Sequence, residues 1–126
     1  MAEAIPINGQ TWLICGGRDF TDTDMFDAAM SDLIRLRGMP ASIVQGGAGG
    51  ADALACMWAQ KHSVNLMTEK ARWRELGRSA GVIRNQMMLD KCKPKLIIAF
   101  PGGRGTADMV RRGRSASVDI AEIKPK

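Results

Sequence analysis

The stretch LIIAFPGGRGTADM, residues 96–109, places an apolar run directly before a glycine-rich loop and a helix-like segment. Its first four residues are all apolar, as is typical of a strand that is buried on both faces of a sheet. Three glycines follow within four positions, at Gly102, Gly103 and Gly105. Glycine lets backbone N–H groups approach a ligand without a Cβ in the way, and the start of a helix favours negative charge. The stretch therefore predicts a strand, a phosphate-binding loop and a helix, in that order.

The same order of strand, double glycine and helix occurs twice more. TWLIC, residues 11–15, precedes Gly16-Gly17, and SIVQ, residues 42–45, precedes Gly46-Gly47. Apolar runs and helical spacing predict the remaining elements, which are strands over residues 64–67, 95–100 and 118–123 and helices that start near residues 23, 51, 80 and 105. This alternation predicts a three-layer, Rossmann-like α/β sandwich with a mainly parallel sheet of about five strands and helices on both faces.

Two of these helices have apolar stripes that we expect to face the sheet. The stripe of the first helix consists of Phe26, Ala29, Met30 and Leu33, with Leu36 beyond, and that of the helix near residue 80 consists of Ile83, Met87 and Met88. Residues 68–76 show no such period and are predicted to be irregular.

Length and composition favour one globular domain over residues 1–126, with residues 1–10 as a flexible extension. No apolar run approaches the roughly 20 residues of a membrane span, and no signal peptide is apparent, so a cytoplasmic protein is expected. Three scattered cysteines and a single histidine argue against a metal site and for reduced thiols. No cofactor is predicted.

Basic residues are concentrated in the second half of the chain. Residues 1–71 contain five Lys and Arg against eight Asp and Glu, whereas residues 72–126 contain 13 against five. This asymmetry favours an anionic ligand, such as a nucleotide, a phosphosugar or a nucleic acid, although a basic surface can also serve solubility alone.

The residues expected to contact this ligand stand in or beside the loops at the carboxyl edge of the sheet. They are Gly16, Gly17, Arg18, Asp19, Gly46, Gly47, Gly50, Asp52, Arg84, Asn85, Pro101, Gly102, Gly103, Arg104, Gly105 and Thr106. The loops match neither a Walker A motif nor GxGxxG, so tight turns without a ligand stay open as an alternative. Trp73 either stacks on a base or covers the sheet edge.

Taken together, CGGRDF, QGGAGGADALA, IRNQMML and LIIAFPGGRGTADMV resemble the small YspA-like branch of the SLOG superfamily. The resemblance spans roughly residues 11–120. It implies a nucleotide or ADP-ribose-like ligand at the glycine-rich edge, a role as a sensor or ligand-binding module, and a homodimer or higher oligomer.

Related LOG phosphoribohydrolases cleave the N-glycosidic bond of nucleoside monophosphates and carry PGGxGTxxE together with an arginine in the preceding helix. By this resemblance Arg84 matches the catalytic arginine, but Met109 stands at the position of the catalytic glutamate. Asp108 precedes it and would point about 100° away on a helix. Binding is therefore the preferred function, and hydrolysis with Arg84 and Asp108, or with Asp52, is the alternative.

Single-stranded nucleic-acid binding is a further alternative, which the relationship of this superfamily to DNA-processing protein A suggests. Only Trp73 and Phe100 offer stacking platforms in the relevant segments, so this alternative is not favoured.

Overall fold

The computed structural model describes residues 9–125, and the predicted extension over residues 1–10 lies mostly outside this range. The strands are β1 Thr11–Cys15, β2 Ser42–Gln45, β3 Asn65–Thr68, β4 Leu96–Ala99 and β5 Asp119–Glu122. The helices are α1 Thr23–Arg37, α2 Ala51–Lys61, α3 Trp73–Leu76, α4 Ala80–Cys92 and α5 Arg104–Ser115, and a 3₁₀ turn over Gly77–Ser79 joins α3 to α4.

All five strands are parallel and lie in the order β3-β2-β1-β4-β5. Trp12 and Ile14 of β1 face a core cluster that includes residues of α1 and α2, whereas Leu13 faces a second cluster with residues of α4 and α5. Successive side chains of a strand point to opposite faces, so β1 contributes to both cores. The predicted Rossmann-like sandwich with helices on both faces is confirmed.

The polar side chain of Asn85 occupies the buried face of α4. The residues of α4 that are buried are Ala80, Asn85, Met88 and Leu89, whereas Ile83 and Met87 are each 37% exposed. The prediction that Ile83 and Met87 face the sheet was therefore wrong. The buried face of α4 includes the polar residue Asn85, so the apolar residues alone do not indicate which face of the helix is buried.

Two further predictions differ from the structure. Leu36 is 80% exposed, because α1 packs through Phe26, Ala29 and Met30 and has no buried residue after them. The segment predicted to be irregular contains the single helical turn α3, which is too short to show a period of its own. In the described residues no helix has the length and apolarity needed to cross a membrane.

Candidate functional site

A cleft of about 390 Å³ opens at the carboxyl ends of β1 and β2, between the first turns of α4 and α5. Parallel strands bring their carboxyl ends to one edge, and the loops that follow them form the floor. The volume lies within the range of small-molecule sites. This cleft is the candidate functional site.

Most residues predicted from the sequence to bind a ligand line this cleft. They are Gly16, Gly17, Arg18, Gly46, Asp52, Trp73, Arg84, Asn85, Gly103, Arg104, Gly105, Thr106 and Asp108. Five others, Asp19, Gly47, Gly50, Pro101 and Gly102, are not part of its wall. Arg78 is a wall residue that was not predicted from the sequence.

Gly102 packs two loops together and does not face the cleft. A Cβ built on it would lie 2.7 Å from the backbone nitrogen of Gly17 and 3.0 Å from the carbonyl carbon of Gly16. The Gly17 N–H donates to the carbonyl oxygen of Pro101 at 2.9 Å. The loop after β4 therefore lies directly against the loop after β1, and Gly102 serves this contact.

The N-terminus of α5, which no side chain caps, lies at the cleft. Its N-cap is Gly103, which has no side chain that could accept a hydrogen bond from the first turn, and Arg104, Gly105 and Thr106 of that turn all line the cleft. Unpaired N–H groups and the helix dipole at such an end favour an anion.

Three arginines of the cleft wall make no ion pair with any residue in the range 9–125. They are Arg18, Arg78 and Arg104, all exposed. The guanidinium carbon of Arg18 lies 5.9 Å from the centre of the Trp73 ring. Because no acidic residue of this range neutralises them, these three side chains are available to an anion in the cleft.

Arg84 is held in a fixed orientation inside the cleft. Its Nη1 donates to the carbonyl oxygen of Gly46 at 3.0 Å, and its Nε donates to Oδ1 of Asn85 at 3.0 Å. A Cβ on Gly46 would overlap the guanidinium group, so a larger residue there would displace Arg84 from this position. Burial lowers the pKa of Arg84, although the charge of Asp52 opposes this shift. The guanidinium group of Arg84 is therefore a cation of fixed orientation in the cleft, and it forms no ion pair with an acidic residue of the described range.

Asn85 and Asp108 connect α4 to the start of α5. The Asn85 amide nitrogen donates to the carbonyl oxygen of Gly105 at 3.2 Å and to Oδ2 of Asp108 at 3.0 Å. Asp108 also accepts from Arg111 and Arg112, at 2.5 Å and 2.8 Å. Burial by itself raises the pKa of Asp108, but the hydrogen bonds from Asn85 and Arg112 and the charges of both arginines outweigh it and hold the pKa below its ordinary value.

We expect Asp108→Ala to lower the free energy of unfolding by about 2–3 kcal/mol at neutral pH, because the buried amide of Asn85 and the half-buried guanidinium of Arg112 lose a charged acceptor. Because folding lowers the pKa of Asp108, this stabilisation is present above pH 3.8 and disappears as the pH falls through the folded pKa. Urea unfolding of wild type and variant measures it, with the exposed Asp27→Ala as control. Equal stability at pH 7 would contradict the structural role of Asp108.

Met109 faces the core and Asp108 faces the cleft. Met109 is fully buried in the cluster that also contains Leu13 and Ile97, whereas Asp108 lines the cleft. From the sequence we predicted that Asp108 points away from the site. The structure differs because α5 packs Met109 into the core, and this leaves Asp108 facing the cleft. No carboxylate stands at the glutamate position of the hydrolase pattern, and the one beside it is fully engaged by Asn85 and two arginines.

Asp52 is the second buried carboxylate of the cleft. It is 6% exposed, and its Oδ2 accepts from the Ala48 N–H at 3.0 Å. Burial raises the pKa of Asp52, although the Ala48 N–H and the charge of Arg84 act in the opposite direction. Burial and the charge of Asp52 raise the pKa of the neighbouring Cys15 thiol to about 12, which leaves this thiol unreactive at neutral pH.

Trp73 brings a half-exposed aromatic ring to the cleft, since the residue is 50% exposed. Phe100 does not, because it is 1% exposed and stacks on Phe20 and Phe26 in the core. The expectation that Phe100 could serve as a stacking platform was therefore wrong. Among residues 9–125 no group of three or more His, Cys, Asp or Glu side chains is arranged to hold a metal ion.

Comparison with known proteins places these features in a family. A model of the YspA, cpYpsA-related SLOG family matches residues 13–76. The "Gene 61 protein" of Mycobacterium phage D29 is 31% identical over 121 residues, which cover 90% of this chain and 96% of that protein. No solved structure matches the chain.

Proposed function

Since the chain belongs to the YspA, cpYpsA-related SLOG family, we propose that its cleft binds a nucleotide or a nucleotide-derived ligand, such as one that contains ADP-ribose. The observation that carries this proposal is the convergence of unpaired arginines and an uncapped helix end on one cleft. Positive charge and free N–H groups suit phosphate oxygens. Trp73, which is half-exposed at the same cleft, suits an aromatic base. In this role the protein acts as a sensor or a ligand-binding module.

Thermal unfolding of the full chain with AMP, ADP-ribose, cyclic ADP-ribose isomers and NAD tests the proposal. A ligand at about 100 times its Kd stabilises the folded state by about 2.7 kcal/mol, which is a shift of several degrees in the midpoint. Adenosine, which lacks the phosphate, is the control and should stabilise much less. A flat response across the panel at millimolar concentrations would contradict nucleotide binding.

Cleavage of an N-glycosidic bond is a second candidate function. Asp52 suits the role of its acid or base better than Asp108 does. Asp52 is buried beside the cleft, burial raises its pKa, and a raised pKa is typical of a carboxyl group that acts as a general acid. Asp108 has a lowered pKa and its oxygens already accept three hydrogen bonds. Incubation with nucleoside monophosphates should then release free base, and Asp52→Asn should stop the release. If wild type releases no base from any of the four ribonucleotides, this candidate fails.

Single-stranded nucleic acid remains the less favoured ligand. The chain has three Trp, three Phe and no Tyr, and five of these six aromatic side chains are buried, which leaves Trp73 alone. Proteins that bind along a single strand stack successive bases on several aromatic side chains.

The homodimer stays a prediction. Helices α3 and α4 offer exposed apolar side chains for such an interface, at Leu76, Val82, Ile83 and Met87.

A further inference from the structure

Asp52 is a buried carboxylate whose charge no ion pair with a described residue neutralises. Buried charges are costly unless they are paired or hydrogen-bonded. The Ala48 N–H donates to Oδ2 at 3.0 Å, the backbone of Gly46 also donates to the carboxylate, and the carboxyl group lies in the wall of the cleft. A ligand that donates hydrogen bonds at this point would therefore find an oriented acceptor.

The order of the strands places Asp52 between the two other recognition elements. Trp73 follows β3, Asp52 follows β2, and the uncapped start of α5 follows β4, on the far side of β1. Along the edge the chain thus presents an aromatic ring, a carboxylate and an anion-binding helix end. A nucleotide has its base, sugar and phosphate in the same order.

We propose that Asp52 accepts hydrogen bonds from the 2′ and 3′ hydroxyls of a ribose, so that the cleft selects ribonucleotides over 2′-deoxyribonucleotides. The inference rests on the proposed nucleotide function and specifies its substrate class. Two adjacent hydroxyls are donors that a carboxylate accepts in pairs. A Cβ on Gly46 would meet both Arg84 and Oδ2 of Asp52, and the nearby charge of Arg84 helps to keep the carboxylate ionised in this role.

A purely structural role would explain only part of this arrangement. Asp52 lies in the first turn of α2, where a carboxylate is favourable, and its acceptance from Ala48 shapes the loop before that helix. Asp52→Asn keeps an oxygen for the Ala48 N–H but cannot accept a pair of hydroxyls as a carboxylate does. The variant therefore separates the loop contact from the ligand contact.

Calorimetry with AMP and ADP-ribose and with their 2′-deoxy counterparts tests the inference. We expect wild type to bind the ribose form about 10- to 100-fold more tightly, as hydrogen bonds to a charged acceptor imply. Asp52→Asn should reduce this preference to within about 3-fold and lower the affinity for the deoxy form less than that for the ribose form, since the deoxy form offers only its 3′ hydroxyl to this residue. Asp19→Asn, at the same edge but outside the cleft wall, is the matched control and should keep the preference.

The outcomes distinguish this inference from the function on which it rests. Binding of both forms with equal affinity by wild type would overturn the assignment of Asp52 and leave nucleotide binding standing. A preference that survives Asp52→Asn would also overturn it, provided that the variant shows the thermal midpoint of a folded protein. If neither form binds to wild type, the proposed function itself fails.

Discussion

Arg84→Ala is expected to reduce nucleotide affinity by about 100-fold, because it removes a charge-assisted donor that the fold has already oriented. Nε and Nη1 are fixed by Asn85 and Gly46, so the guanidinium reaches the ligand without further ordering. The variant should remain folded, since burial lowers the pKa of Arg84 and the folded state therefore holds this charge at a cost. Calorimetric titration together with the thermal midpoint measures both effects.

Two control variants sharpen the result for Arg84. Arg74→Ala removes the same charge from an exposed position outside the cleft wall and should bind normally. Arg84→Lys keeps the charge but cannot reach both Gly46 and Asn85 while facing the ligand, so it should restore only part of the affinity. An unchanged affinity of Arg84→Ala would remove Arg84 from the site.

Gly102→Ala is expected to lower the free energy of unfolding by about 1–3 kcal/mol and to weaken binding as well. Its Cβ would press on backbone atoms of Gly16 and Gly17, which cannot rotate away as a side chain could. The two loops must separate, and this breaks the hydrogen bond from the Gly17 N–H to Pro101. Chemical denaturation and ligand titration of the same preparation measure the two losses.

Gly105→Ala, in the same loop, should have the opposite effect on stability. A Cβ there meets no atom within 4 Å, and alanine in a helix is favoured over glycine by about 0.5–1 kcal/mol. Gly105 nevertheless lines the cleft at the start of α5, so a methyl group should hinder a phosphate and weaken binding by about 10-fold. Normal binding by Gly105→Ala would contradict the role of Gly105 in ligand binding. Normal stability of Gly102→Ala would contradict the role of Gly102 in packing the two loops.

The strands, the helices on both faces and the edge that holds the site were predictable from local patterns. Three of the five strands, β1, β2 and β4, lead into a double glycine, and parallel strands must bring those ends to one edge. Arg84 and Asn85 were also predicted to lie at this edge, and the structure places both in the wall of the cleft. Arg78 was missed because it lies after a single helical turn, where neither period nor motif indicates which way the chain runs.

The sequence by itself determined that three glycine loops meet at one edge, because strand direction follows from apolar runs joined by helices. Only the tertiary structure decided which residues of these loops face the cleft. Asp108 and Met109 are neighbours about 100° apart on a helix, and the packing of Met109 against Leu13 and Ile97 determines that Asp108 faces the cleft. Gly102 and Gly105 look alike in the sequence, yet Gly102 meets a loop some 85 residues earlier in the chain. Contacts between residues so far apart in the chain depend on how whole helices and strands pack, and the local spacing of residues carries no information about them.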